Sequence, residues 1–430
     1  MDRRKLFLCA AVTALCLITG CSGARTGDNT DVPAATENVS EAVVIPEIES
    51  IPPGESTGIM KKAVNSFNWD IYDRCGPEGN LFYSPYCIVS AMALADLGAA
   101  GNTKEEIEKA LCIEDYPAFL GEFKGFNERE QSGKAYLNTA NGIFIDSSLK
   151  LSSSYEEAFK DPAKACFNGE FRNVDFKNDP DGAKNIISSW VSDATGGMIP
   201  DYDPGATKDT VADILSAVYF YGEWQSKFTA DSTFPEAFHG TEGDREVDTM
   251  HMAESQFRYV EDENGITAIA LPYEGGQYEM DILMQADNGA KESLVLKDKD
   301  TAEEVLNALD NAMITDIYTL ALPKFRLDLK IDGLKEKLES MGIKTLFTEN
   351  ADLSGLAKDI MISDICHRAV VEVDEEGSRA AAVTEVMACV TSVMEEDRPR
   401  IEFIVDKPFI FLIRDRESGV ILFTGRINNI

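Results

Sequence analysis

Histidine is nearly missing from this 430-residue chain: only His239, His251 and His367 occur. There is no HExxH helix, no paired-histidine spacing and no glycine-rich phosphate loop, so the common metal-hydrolase and nucleotide-binding sets are excluded. Cysteine is sparse as well. Past residue 21 come Cys75, Cys87, Cys112, Cys166, Cys366 and Cys389, with no CxxC pair, which indicates neither a zinc site nor a disulfide scaffold. Cations are outnumbered, 40 Lys and Arg against 75 Asp and Glu, for a net charge of −35. Phosphate and sulfate polymers need clustered cations, so no nucleic-acid partner is expected. The long apolar run Leu6–Ile18 falls short of the roughly 20 residues a membrane-spanning helix needs. No metal and no cofactor are expected.

What is present begins at the N-terminus. Arg3, Arg4 and Lys5 precede the apolar run, which closes on Ile18-Thr19-Gly20-Cys21. This is the order of a bacterial lipoprotein signal, with a basic start, a short apolar core, small residues and a cysteine whose sulfur takes lipid. Residues 1–20 are therefore expected to be a signal peptide and Cys21 the lipid attachment. Residues 21–55 are rich in Ser, Thr, Asn, Pro and acids, a composition that cannot offset its own ordering entropy, and are read as a flexible tether. Residues 56–430 contain no second linker and no internal repeat, and are read as the folded domain. The expected location is the cell surface or envelope, held to a lipid bilayer.

Gly54-Glu55-Ser56-Thr57-Gly58 matches the G-x-S-x-G pattern of hydrolase nucleophiles. That chemistry needs a strand before the serine, whereas Pro52-Pro53 stand there. Ser56 or Thr57 reads better as the N-cap of a helix whose apolar face is Ile59, Val64, Phe67 and Ile71. His367 lies in the apolar run 362–373 and reads as a hydrogen-bonded structural histidine. No catalytic residues are assigned, and an enzyme is not expected.

The informative segment follows residue 371. From Ser378, alternate positions hold Ser378, Ala380, Ala382, Thr384, Val386, Ala388 and Val390, all small or β-branched and uncharged, while Arg379 and Glu385 fall on the other parity. This is the two-residue period of a strand with one buried face. Yet Glu395, Glu396, Asp397, Arg398 and Pro399 come next and read as exposed loop. Alanine-rich sequence also tolerates a surface helix, and that alternative stays open from the segment alone.

Glu375-Glu376-Gly377-Ser378-Arg379-Ala380-Ala381-Ala382-Val383-Thr384 resembles the proximal hinge of inhibitory serpins. Further stretches resemble the same family in order: Asn80–Pro85 and Gly98–Thr103, Trp190-Val191 with Thr195, Ala217–Trp224, Leu271-Pro272-Tyr273, Leu322-Pro323-Lys324-Phe325, Ala351–Gly355, and the C-terminal runs Lys407–Ile413 and Val420–Arg426. The resemblance implies an α+β serpin fold of about nine helices and three β-sheets with an exposed reactive-centre loop. It also implies a monomeric inhibitor that a serine protease, or a cysteine protease, cleaves and is then trapped by, as the loop enters the main sheet. Family spacing puts the reactive bond at Thr391–Ser392, where the small neighbours suit elastase-like or subtilisin-like enzymes. Glu375, Glu376, Gly377, Ser378, Ala380, Ala381 and Ala382 take the hinge role. Ser84, Cys87, Ser216, Trp224 and His367 take the shutter and breach roles. Cys87 stands where the family usually has Ser and Ser216 where it has Asn, so sheet opening is expected to differ here, while Val383, where Ala is commoner, points outward after insertion and is expected to cost little. A non-inhibitory serpin acting as a surface binding or chaperone-like protein is the alternative.

Overall fold

The computed structural model describes residues 48–129, 134–151, 159–285, 299–378 and 400–430. In chain order the helices are α1 (Ile59–Arg74), α2 (Pro85–Leu97), α3 (Gly101–Ala110), α4 (Tyr116–Glu128), α5 (Lys160–Phe167), α6 (Pro180–Ala194), α7 (Lys299–Asn311) and α8 (Leu334–Met341). The strands are β1 (Leu81–Tyr83), β2 (Ala135–Asp146), β3 (Gly169–Val174), β4 (Ala212–Glu223), β5 (Thr233–Gly240), β6 (Gly243–Glu261), β7 (Ile266–Pro272) and β8 (Tyr278–Gln285). After these come β9 (Ile314–Pro323), β10 (Phe325–Lys330), β11 (Asp364–Val373), β12 (Gly377–Ser378), β13 (Ile401–Ile404), β14 (Phe409–Asp415) and β15 (Ile421–Ile427).

Among the described residues these form an α+β fold with eight α-helices and two hydrogen-bonded sheets. One sheet has the order β10-β11-β12-β4-β2-β3; the other runs β1-β15-β14-β8-β7-β6-β9-β13, with β5 added on β6. The three sheets that the resemblance implies appear as two continuous ladders because β6 is long enough to serve two groups of partners. Its first half pairs with β5, and its second half pairs with β9 and β7.

Helix α2 explains how the two sheets share one core. All thirteen of its residues are buried, and all but Ser90 and Asp96 are apolar, as suits a helix inside a large core. Its start is set locally: Ser84 caps it by accepting from the Cys87 amide, and Pro85 takes the first helical position. Strands β14 and β15, read in the sequence as buried on both faces, are buried at every position. A smaller core fills the other face of the six-stranded sheet, where Trp190 of α6 meets Phe144 of β2 edge-on, with Leu215 and Val370 beside them.

The start of α1 departs from expectation. A single 3-10 turn over Pro53–Glu55 precedes Ser56, and Gly58, not Ser56 or Thr57, occupies the N-cap. The Ser56 hydroxyl accepts from the Gly58 amide. The orphan amides of the first turn go to another helix: Glu122 of α4 accepts from the Met60 amide at 2.9 Å and from the Thr57 amide and hydroxyl at 2.6 and 2.8 Å. A carboxylate satisfies these donors better than a hydroxyl, because it brings charge to the positive helix end. Val64, Phe67 and Ile71 are buried as expected, and Ile59 is half-buried. The chain before α1 also lies on α4. The Ile51 amide donates to the Gly121 carbonyl at 2.9 Å, and a methyl group on Gly125 would overlap the Ile51 carbonyl.

Candidate functional site: a hinge entering a strand seam

Strands β4 and β11 are parallel neighbours over six positions, from Asp213 opposite Asp364 to Val218 opposite Ala369. Beyond Val218 the direct pairing ends, and β12 stands between them. Ser378 pairs with Gly222 on one side and Val373 on the other, antiparallel to both. The two strands are thus adjacent at one end and separated by a third at the other. Strand spacing of about 4.8 Å means that the gap widens to roughly twice that along β4. A strand antiparallel to both neighbours replaces one slanted parallel ladder by two antiparallel ones, so continued entry gains main-chain hydrogen bonds.

Each residue of the turn into β12 has a holder. The Asp374 carboxylate accepts from the amides of Glu376 and Gly377 at 2.9 and 3.2 Å. Glu375 receives Lys324 Nζ at 2.8 Å and the Thr233 hydroxyl at 2.8 Å; although burial opposes it, these donors keep its carboxyl below the usual range. Glu376 pairs with Lys227 at 2.6 Å, and Lys227 also pairs with Glu223. Burial works against the Glu223 carboxylate too, yet Lys227, Lys134 and Tyr221 hold it down at about 2. Gly377 lies so close to β4 that a Cβ there would overlap the Gly222 carbonyl, which is why this position takes glycine.

Trp224 organises the open end. Its indole N–H donates to the Asp374 carbonyl at 2.9 Å, and its ring stacks on Tyr273 with centroids 4.7 Å apart and planes 8° from parallel. Tyr273 in turn shares a 2.6 Å hydrogen bond with the Ser378 hydroxyl, which is fully buried. The parity of Ser378 thus faces the main core, the face on which the sequence alternation places the small residues. Ala380, Ala381, Ala382, Thr391 and Ser392 lie outside the described residues.

Halfway along the seam sit the other predicted residues. His367 of β11 is in register with Ser216 of β4, which is in register with Asn141 of β2. His367 Nε2 accepts from the Ser84 amide at 2.9 Å, and burial pushes the imidazole down to about 3, so the ring is neutral. The Ser84 hydroxyl donates to the Leu422 carbonyl at 2.6 Å, tying α2, β11 and β15 together. Cys87 is buried beside Ser84 and Ser216, and burial pushes its thiol up to about 12. The Ser216 hydroxyl makes no well-aligned hydrogen bond among the described residues. The seam is therefore crossed here by fewer polar contacts than its residue types allow. The other two histidines sit elsewhere, His239 facing Asp244 and His251 facing Glu236.

Sequence reasoning assigned no role to Tyr273, Lys324, Lys227 or Asp374. Tyr273 and Lys324 fall in stretches that it singled out, and that is the signal that was there to use.

The described residues thus place a two-residue strand between two strands that are direct parallel neighbours further along. A match to the family described as "Serpin (serine protease inhibitor)" spans residues 62–430, and the chain belongs to the serpin family. Among curated relatives it is 35% identical to Iripin-2 of Ixodes ricinus over 83% of this chain and 89% of that one. It is 34% identical to the leukocyte elastase inhibitor of Bos taurus over 82% and 94%. A solved structure of Serpin48, described as a highly specific serpin in the insect Tenebrio molitor, superposes with a TM-score of 0.74 at 29% identity, covering 87% of this chain and 99% of that one. Serpins are in the main protease inhibitors, not enzymes.

Proposed function

We propose that this chain is a suicide inhibitor of serine proteases that cut after small residues, elastase-like or subtilisin-like in preference. The observation that supports the reading most is Ser378, buried and already paired on both sides between β4 and β11. In the proposed reaction the protease serine oxygen attacks the Thr391 carbonyl. The Thr391–Ser392 peptide bond breaks, and the Ser392 amine leaves with a proton from the protease. An ester now joins Thr391 to the protease. Residues from Arg379 onward then continue β12, carrying the enzyme with them before water hydrolyses the ester.

Continuing the antiparallel register of Ser378 with Gly222 would set Ala380 opposite Phe220, Ala382 opposite Val218 and Thr384 opposite Ser216. Small residues there enter a packed face without overfilling it. That a curated relative is named leukocyte elastase inhibitor agrees with the small-residue preference. Cys21 is proposed to bear lipid, placing the inhibitor at the cell surface or envelope as a monomer.

Incubation with an elastase-like protease is expected to give an SDS-stable complex, and a released fragment whose sequence begins at Ser392 or within two residues of it. A fragment beginning after Arg398 or Arg400 overturns the assigned bond. Cleavage with no complex and no gain in thermal stability would support a non-inhibitory surface binding role instead.

A further inference from the structure

The closed end of the seam holds two acids in register: Asp213 of β4 faces Asp364 of β11 across the pair of strands that must part. Asp213 is buried and its Oδ1 has no hydrogen-bond partner among the described residues. It lies on the α6 face of the sheet, opposite Phe144 of β2. Its other neighbours offer little to stabilise an anion. From β11, Asp364 adds like charge and Cys366 a thiol whose sulfur approaches Asp364 at 3.8 Å. From the segment after α6 comes the buried phenol of Tyr202. From β2, Asp146 is two residues along but is engaged by Ser148 and the Lys177 amide. From α8, Lys335 contributes attraction at a distance while its ammonium donates to the Ser363 carbonyl at 3.0 Å. Among the described residues the Asp364 amide is a donor that favours the anion.

We propose that Asp213 and Asp364 form a proton-dependent latch on the sheet: protonated Asp213 holds the far end of the seam shut, and its ionisation drives β4 and β11 apart. The inference deepens the insertion reading above, on which its relevance to inhibition rests. Burial, and after it the charge of Asp364, pushes the Asp213 carboxyl up to about 7. The closed seam therefore holds this proton more tightly than an opened one, in which an intervening strand doubles the separation of the two acids and water reaches the Asp213 carboxyl as it already reaches the exposed Asp364. By linkage the closed form is favoured as pH falls through about 7 and disfavoured as pH rises through it. Of the other titratable groups on the seam, His367 is held neutral down to about 3 by burial, burial pushes the Cys366 thiol up to about 12, and Arg368 stays charged beside Asp328, so none responds in this window.

The test uses the intact chain and a synthetic peptide of residues 378–391 as the inserting strand. Its rate of incorporation is followed by native-gel mobility between pH 5.5 and 8.5. The wild-type rate is expected to rise about tenfold between pH 6 and pH 8, in line with loss of one proton. Asp213→Asn, an isostere of the protonated acid, is expected to hold the rate near the acid limit with less than a twofold change. It also separates the latch from Asp96 and Asp281 elsewhere in the molecule, whose carboxyls burial pushes up while Lys104 and Arg414 oppose it. Asp364→Asn should move the midpoint to lower pH. A wild-type rate independent of pH, or an unchanged slope in Asp213→Asn, overturns the proposal. Should Asp213→Asn fail to fold, hydrogen exchange in the wild type decides. Protection of the Ile365–Ala369 amides, corrected for intrinsic exchange, must fall as pH passes 7, and constant protection refutes the latch. Neither readout involves a protease, so failure to trap an enzyme would sink the inhibitor reading while leaving this one standing.

Discussion

Ser378 and Tyr273 show how much a single buried hydroxyl pair decides at the mouth of the seam. Tyr273→Phe leaves the Ser378 hydroxyl buried without a partner, at a cost of about 1–3 kcal/mol. Ser378→Ala together with Tyr273→Phe removes both polar groups and is expected to recover most of that loss in a double-mutant cycle read by urea unfolding. Additive losses would mean that the 2.6 Å contact is not made in solution. Glu375, Glu376, Gly377 and His367 could be singled out in the sequence because each sits within a continuous patterned run. Tyr273 and Lys324 were visible only as parts of recurring stretches. Their partners Ser378 and Glu375 are far along the chain, and only folding brings an ammonium or a phenol to them.

At the scale of elements, alternation was the strongest signal, and the position of Ser378 gives it a direction. Ala380→Arg and Ala382→Arg place a charge on the parity of Ser378, which faces the core, and burying an unpaired charge costs several kcal/mol. With an elastase-like protease these two variants are expected to yield mainly cleaved inhibitor, while Ala381→Arg, on the parity of Arg379, retains complex. Equal complex yields from all three would remove the mechanistic meaning of the period. Other elements resisted reading. The start of α1 was misassigned to Ser56 or Thr57 because its acceptor, Glu122, comes from a helix more than sixty residues later. Nothing in the residues of β6 marks it as one strand; two groups of partners, paired along different halves, make it so.

For the molecule as a whole, the order of family stretches was enough to indicate the fold, while the overall acidity bore only on partners. The acid pair at the foot of the seam escaped notice, since Asp213 and Asp364 are 151 positions apart and become neighbours only through β4 and β11. The lipid reading of Cys21 belongs to this scale. Cys21→Ala is expected to abolish labelling by a fatty-acid analogue and to release the protein from membranes, and persistent labelling would refute the assignment.

If Cys21 bears lipid as proposed, the strip of chain laid along α4 has a mechanical consequence. Because Ile51 is fastened to Gly121, and Gly125 leaves room for its carbonyl, residues 48–58 are spent on the body and add nothing to the leash. What remains between Cys21 and Ile48 has a contour length of roughly 90 Å at about 3.4 Å per residue. Under that proposal any pull from the membrane would be delivered to the glycine face of α4, which makes this helix the mooring point. A bulky residue at Gly125 would slip the mooring and lengthen the leash by roughly 35 Å, changing how far from the membrane the proposed inhibitor would meet an enzyme.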